Sequence, residues 1–393
     1  MRGSAVAASL AAAIVGVMVL CTPAAQAAPA QRAPKRVSGV VATPGVGTVT
    51  VSWHPEPTTG MTYTVTSAPV GLGCTVVDQD SCTVAVENST AWRFTVVASD
   101  AAGTSPPSAP SRPFAHRVLL VVAGQSNALG ATAYAVDPTS GTNYLARPFA
   151  NPADTKTLIA WEPWWALAQP ATPSGLVPLD TPQYLSFVTT PTQVFGPELG
   201  LGRQIWTDSH LAVTIDKVAY SDSSLPDWSP AKPGGLFADL VAMVHQTMAT
   251  DAAAGQLDTI GAVYWYQGES DALDPTLAAA YQANLVSLVN GFRTQLPMDG
   301  AAPVVLAKES LAEPIAVEQY AGICTSPGCA TLIAGDDEVR AADDWAAANL
   351  PDVVTVDSLG LPRTGADGGI HLSSTGELTL GKELATASDH RFP

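Results

Sequence analysis

Three short segments carry side chains that could act together on a carbonyl group. In Val118–Gly130, VLLVVAGQSNALG, a run of β-branched and leucine residues stops at Gly124-Gln125-Ser126-Asn127. That places the Ser126 hydroxyl on a strand-to-loop turn suited to displaying a nucleophile. A serine attacks only when a neighbouring base takes its proton, so the tetrapeptide alone is equally a Ser/Asn turn. A base is available in Asp367-Gly368-Gly369-Ile370-His371-Leu372. Among the 6 histidines, His371 alone lies in a glycine-rich loop behind an acid and directly ahead of a helix, whose Ser374 and Glu377 have capping-box spacing. His54, His116, His210, His245 and His390 read as strand, linker, surface-loop, helix and terminal residues. The third segment, Val263-Tyr264-Trp265-Tyr266-Gln267-Gly268-Glu269-Ser270-Asp271, ends an aromatic strand in an amide, a glycine and two carboxylates. A neutral amide donor suits a developing oxyanion, a role worth roughly 3–4 kcal/mol in measured hydrolases. The alternative is that Glu269 and Asp271 cap the next helix while Gln267 satisfies a backbone group.

The elements around these segments follow one pattern. From Arg117 onward, strands alternate with helices, which indicates a parallel sheet covered on both faces and, with it, ligand chemistry beyond the carboxyl ends of the strands. Strands are expected at Val118–Ala123, Ala212–Ala219, Thr259–Tyr266, Pro303–Ala307 and Val353–Val356. Helices are expected at Pro197–Trp206, Leu236–Ala254, Thr276–Gln295, Asp336–Ala348 and Thr375–Ala387. Ala131–Thr192, rich in Pro, Trp and Thr, shows no periodicity and reads as an irregular excursion over the site. Trp161, Trp164, Trp165, Trp228 and Trp265 exceed what a core of this size needs; some could stack on sugar rings, with Trp265 assigned to the core.

Upstream, Val37 to about Arg112 has short alternating strands broken by Gly and Pro, the texture of a β-sandwich. Ser105–His116 reads as an extended Pro/Ser linker. Met1–Ala27 reads as an export signal, with Arg2, the apolar Ala5–Leu20 and an Ala25-Gln26-Ala27 cleavage site. The expected organisation is therefore a signal peptide over 1–27, a sandwich over 37–112 and an α/β domain over 117–393, in a protein released outside the cell. Export leaves Cys74, Cys82, Cys324 and Cys329, for which the local pairs Cys74–Cys82 and Cys324–Cys329 are expected, zinc being poorly served by this spacing. With a net charge of −17, nucleic acid and anionic membranes are unsuitable partners, whereas neutral glycans are compatible.

The order of the three segments resembles the SGNH hydrolases, and within them the sialate O-acetylesterase and acetylxylan esterase group, over about Arg117–Phe392. Phe195-Gly196-Pro197-Glu198-Leu199-Gly200 also resembles a helix start common in the acetylxylan esterase branch. Trp53, Trp92-Arg93-Phe94-Thr95-Val96-Val97-Ala98 and the Pro/Ser tail make 37–112 similar to a fibronectin type III module, with Trp92 where a Tyr is usual. The resemblance implies a three-layer, flavodoxin-like α/β/α fold and a secreted esterase that removes O-acetyl groups from a polysaccharide or glycoside. In it Ser126 would attack, His371 would take the proton and Asp367 would orient the imidazole. The Ser126 backbone N–H, Gln267 and Asp222 would form the oxyanion hole, and Gln125, Asn127 and Trp228 would contact substrate. No metal or other cofactor is implied.

Two departures stand out. Asp367 lies four residues before His371 where three is usual, which makes Glu269 a second candidate acid. Ser221-Asp222 stands where a Gly-Gly is expected; Asp tolerates a left-handed conformation, but its carboxylate would oppose an oxyanion if it pointed inward. Two rival readings remain: a glycan-binding protein with a degenerate esterase site, favoured by Ser221-Asp222, and an esterase for lipid or short-chain esters, for which no apolar lid is evident.

Overall fold

The structure, a computed structural model, describes residues 32–45, 48–85, 92–113, 115–138, 140–145, 151–161, 175–185, 192–254, 256–298, 301–309, 328–364 and 369–388. The expected signal peptide, Asp367, Cys324, Trp164 and Trp165 lie outside these residues.

The N-terminal part is antiparallel. Strands β1 (Ser38–Gly45), β2 (Thr48–His54) and β5 (Ser81–Ala85) form one sheet in the order β1-β2-β5. Strands β3 (Thr62–Ala68), β4 (Gly73–Val77), β6 (Arg93–Asp100) and β7 (Gly103–Thr104) form the other, in the order β4-β3-β6-β7. Alternate residues such as Val49, Val51, Trp53 and Phe94, Val96, Ala98 point into a shared core, as a two-sheet sandwich requires. Trp53 packs on Tyr63, with ring centroids 5.2 Å apart, and a disulfide joins Cys74 to Cys82. The arrangement is consistent with a fibronectin type III-like module.

The Pro/Ser segment departs from its reading as a linker. Ser105, Ser108 and Ser111 are buried, and their N–H groups donate to Ala98, Val96 and Phe94 carbonyls at 2.8–2.9 Å. Their hydroxyls accept the N–H groups of the same three residues at 2.9–3.0 Å. A serine at every third position lets a proline-rich chain that cannot form a full ladder satisfy the edge of β6.

The larger part is a seven-stranded sheet. It contains β8 (Ala115–Gly124), β9 (Leu158–Trp161), β10 (Val177–Pro178), β13 (Val213–Ala219), β14 (Gln256–Tyr266), β15 (Val304–Lys308) and β16 (Val353–Asp357), in the order β10-β9-β13-β8-β14-β15-β16. All pairings are parallel except β10 with β9. The five strands expected from sequence make up its β13-β8-β14-β15-β16 portion, which is the 2-1-3-4-5 order of the flavodoxin-like class. Helices α3 (Leu236–Ala253), α5 (Pro275–Gln295) and α6 (Gly328–Asn349) cover one face, while α2 (Pro197–Ser209) and α7 (Ser374–Ser388) cover the other. Along β8, Leu119, Val121 and Ala123 enter the first core, and Val118, Leu120 and Val122 the second. Both faces of the strand are therefore apolar, which is why its sequence is a continuous hydrophobic run.

The described parts of Ala131–Thr192 are more regular than the composition of the segment indicates. β9 extends the sheet beside β13, and β11 (Gln183–Leu185) pairs with β12 (Thr192–Val194). Asp154 is held by Arg203 of α2 at 2.8 Å. Elements of two to four residues are too short to show a period, so pairing with distant strands creates them.

Candidate active site

The site lies where β8 and β14 end side by side, the point at which the strand order reverses. Gly124 ends β8 with φ 145°, and a Cβ there would lie 2.0 Å from Tyr266 O. Only glycine allows the two strand ends this approach. Gln125 N–H donates to Tyr266 O at 3.0 Å and Tyr220 N–H to Gly124 O at 2.9 Å, so β8, β13 and β14 are stitched together just below Ser126. Ser126 then opens the short helix α1 (Ser126–Leu129). Beneath it, buried Lys217 of β13 donates to Leu129 O at 2.8 Å and Gln183 Oε1 at 2.9 Å, and pairs with Glu198 at 2.9 Å.

The loop of His371 is fastened to this turn. Leu372 N–H donates to Asn127 Oδ1 at 2.9 Å, Asn127 Nδ2 donates to Ile370 O at 3.2 Å, and Thr132 Oγ1 donates to Leu372 O at 3.2 Å. Arg363 Nη1 donates to Gly369 O at 3.0 Å and Ile370 O at 2.7 Å, and Thr364 N–H to His371 O at 3.1 Å. His371 itself is half-buried. Ser126 and His371 are thus brought to one place by contacts between their immediate neighbours.

Glu269 opens α4 (Glu269–Ala272) and is buried, with Oε1 accepting from Asn127 Nδ2 at 2.7 Å. Burial pushes its carboxyl up, while the Asn127 hydrogen bond and the nearby His371 act in the opposite direction.

Gln267 is fully buried, and its Nε2 faces Asp271 Oδ2 at 2.6 Å, Ser223 O at 2.9 Å and Gln125 Oε1 at 3.1 Å. Three acceptors already compete for two hydrogens. Asp271 in turn accepts from Leu225 N–H at 3.0 Å, and burial pushes its carboxyl up to about 6. Gln267 and Asp271 therefore hold the Tyr220–Trp228 loop, close to the backbone-satisfying alternative weighed above. In that loop Asp222 has φ 59°, a left-handed conformation in which it takes the place of the expected glycine, and it is exposed.

The expected substrate contacts need correction. Trp228 is fully buried, edge-on to Trp265 at 5.0 Å, and its Nε1 donates to Ser223 Oγ at 2.9 Å. Its aromatic bulk fills the core and offers no face to a sugar. Asn127 is 1% exposed. Gln125 is buried, and its Oε1 faces the amides of Gly268 and Ser270 at 3.5 and 3.4 Å. Residues beside a nucleophile at a strand end are spent on joining loops, a use that residue type alone does not reveal.

Together these features define an open-sheet α/β ester hydrolase. The model of the carbohydrate esterase family described as sialic acid-specific acetylesterase matches residues 116–390, and the chain belongs to that family. It is accordingly a carboxylic ester hydrolase of the carbohydrate acetylesterase kind. Among curated protein sequences none matches significantly. Similar solved structures include a protein from Arabidopsis thaliana, 20% identical with a TM-score of 0.47 over 70% of this chain and 99% of that one. A carbohydrate acetylesterase from Xanthomonas citri is 16% identical, with a TM-score of 0.45 over 88% of this chain and 71% of its own. NanS is 12% identical, with a TM-score of 0.47 over 70% and 97%. Among the described residues no helix is long and apolar enough to cross a membrane.

Proposed function

We propose that the protein is a secreted serine esterase that removes O-acetyl groups from carbohydrate. The observation that carries this reading is the direct fastening of the His371 loop to the Ser126 turn through the 2.9 Å bond from Leu372 N–H to Asn127 Oδ1. That bond supports a pairing of two residues far apart in sequence for proton transfer. Ser126 attacks the acetyl carbonyl while His371 takes its proton; the sugar hydroxyl leaves with that proton, and water activated by the same imidazole hydrolyses the acyl-enzyme. The backbone N–H groups of Ser126 and Asp222 receive the oxyanion, and Gln267 acts by holding the Asp222 loop through Ser223 O. Asp367 and Glu269 are the acids proposed to orient His371. The substrate class is an acetylated glycan or glycoside, acetylxylan and O-acetylated sialosides being the first to try.

The test is acetate release from acetylated xylan, an O-acetylated sialoside and a small aryl acetate by the parent, Ser126→Ala and His371→Ala. Activity in the parent with large losses in both variants is expected. Full activity in Ser126→Ala refutes the mechanism, and an inactive parent that still binds glycan supports the recognition reading. Comparing Asp367→Asn with Glu269→Gln identifies the acid partner of His371 by the larger loss of turnover.

A further inference from the structure

Asn127 follows the proposed nucleophile directly, yet its side chain is turned away from solvent and both of its polar atoms are committed. Oδ1 accepts the N–H of Leu372 at 2.9 Å. Nδ2 donates to the carbonyl of Ile370 at 3.2 Å and to Glu269 Oε1 at 2.7 Å. One carboxamide thus grips the peptide groups on either side of His371. A donor and an acceptor fixed in one neutral plane are what this task needs; a carboxylate accepts only, and an ammonium donates only.

The other end of the grip is firm. α1 is anchored from below by Lys217 on Leu129 O, and Glu269 sits at the end of β14 behind Gly268. Arg363 and Thr364, next to the Arg363–Leu372 bridge, fasten the loop further, to the carbonyls of Gly369, Ile370 and His371. The side chains of Asn127, Thr132 and Ser374 tie the loop to the chain around Ser126, and that of Asn127 meets the peptide groups on both sides of His371.

We propose that Asn127 is the positioning residue of the base: by clamping the peptide groups before and after His371 it sets the imidazole against Ser126, and by its bond to Glu269 it ties that geometry to β14. This rests on the Ser126–His371 reading above. Misplacing a reacting group by about 1 Å can cost on the order of 100-fold in rate, and the clamp controls displacements of that size.

The experiment uses the full mature chain with Asn127→Leu, which keeps the volume and loses both polar functions, and Asn127→Asp, which keeps the acceptor for Leu372 and loses both donations. The expected result for Asn127→Leu is a kcat loss on the order of 100-fold with KM little changed, and faster hydrogen exchange at the Leu372 amide while β8 and β14 keep their protection. Asn127→Asp should keep protection at Leu372 and still lose kcat. Titration with a serine-reactive phosphonate gives the active fraction, so a merely structural role appears as fewer sites with normal kcat and KM, which overturns the proposal. Parent-level kcat in Asn127→Leu, with Ser126→Ala and His371→Ala inactive, refutes the clamp and leaves the serine mechanism standing. Should the parent hydrolyse no acetyl ester, the functional reading falls by itself, and the clamp is decided by exchange at Leu372 and the NMR titration of the His371 imidazole. Both unchanged in Asn127→Leu overturn it.

Discussion

Asp216→Asn should make the protein more stable at pH 8 and leave it close to unchanged at pH 4. Asp216 lies in the middle of β13 and is fully buried, with Oδ1 accepting from Thr247 Oγ1 of α3 at 2.9 Å and Oδ2 without a partner. Asp251 of α3 and Asp258 of β14 face the same region, where Arg117 is the counter-charge, 3.8 Å from Asp251. Burial pushes Asp216 up to about 8 from an ordinary value of 3.8, and the charge of Asp251 adds to the effect. Burial, then the charge of Asp251, pushes Asp258 up to about 8 as well. Between about pH 4 and pH 8 the folded state holds protons that the unfolded chain has released, so stability is fully present below pH 4 and is lost as pH rises toward 8. Each fully linked group can lose about 1.4 kcal/mol per pH unit, an upper figure of about 5 kcal/mol for Asp216 at pH 8. Rearrangement and water entry relieve part of that, and about 2–3 kcal/mol is the expected gain in Asp216→Asn. The amide donates where the protonated acid's O–H stands, so no new unsatisfied group is created. Calorimetry at pH 4 and pH 8 should show a gain of roughly 5–10 °C at pH 8 and little at pH 4. An equal shift at both values, or a parent that is as stable at pH 8 as at pH 4, refutes the reasoning.

Other perturbations separate packing from chemistry. Trp228→Ala empties a fully buried site against Trp265 and should cost about 3–5 kcal/mol in urea unfolding, whereas Trp228→Phe should leave KM for glycan substrates unchanged because no sugar touches the ring. Lys217→Met strands Glu198 in the core and should cost about 3–5 kcal/mol, read as a fall in the calorimetric midpoint. Asp271→Asn removes one acceptor from the pair of donors Leu225 N–H and Gln267 Nε2. It should lower kcat on the order of tenfold through the Asp222 loop, with circular dichroism unchanged.

The parts of the molecule legible in the sequence are those whose information is local. The run Leu119–Ala123 is apolar on both faces, which is enough for a central parallel strand, and it breaks at Gly124 and Ser126 because a turn must follow. The helix behind His371 starts at Ser374, within a residue of the expected start, but the capping hydroxyl is that of Ser373, which accepts Gly376 N–H at 3.3 Å, while Ser374 Oγ donates to Tyr134 O. The order of the three segments could be recognised because each is a short word of backbone chemistry. The Pro/Ser tail misled because proline reports only that a full ladder cannot form; whether the serines between find solvent or the edge of β6 depends on a partner strand.

What the sequence determined, then, was where the central strands end and which polar residues come next: Ser126 behind β8 and Gln267 behind β14 follow from periodicity and breakers within a few positions. The tertiary structure alone decided what their neighbours do. It turned Gln267 toward Ser223 and Asp271, buried Trp228 against Trp265, gathered Asp216, Asp251 and Asp258 from separate elements, and closed Asn127 on the peptide groups around His371. A side chain's hydrogen-bonding capacity is written in its residue type, but its partner is chosen by which distant backbone the packed sheet and helices bring within about 3 Å.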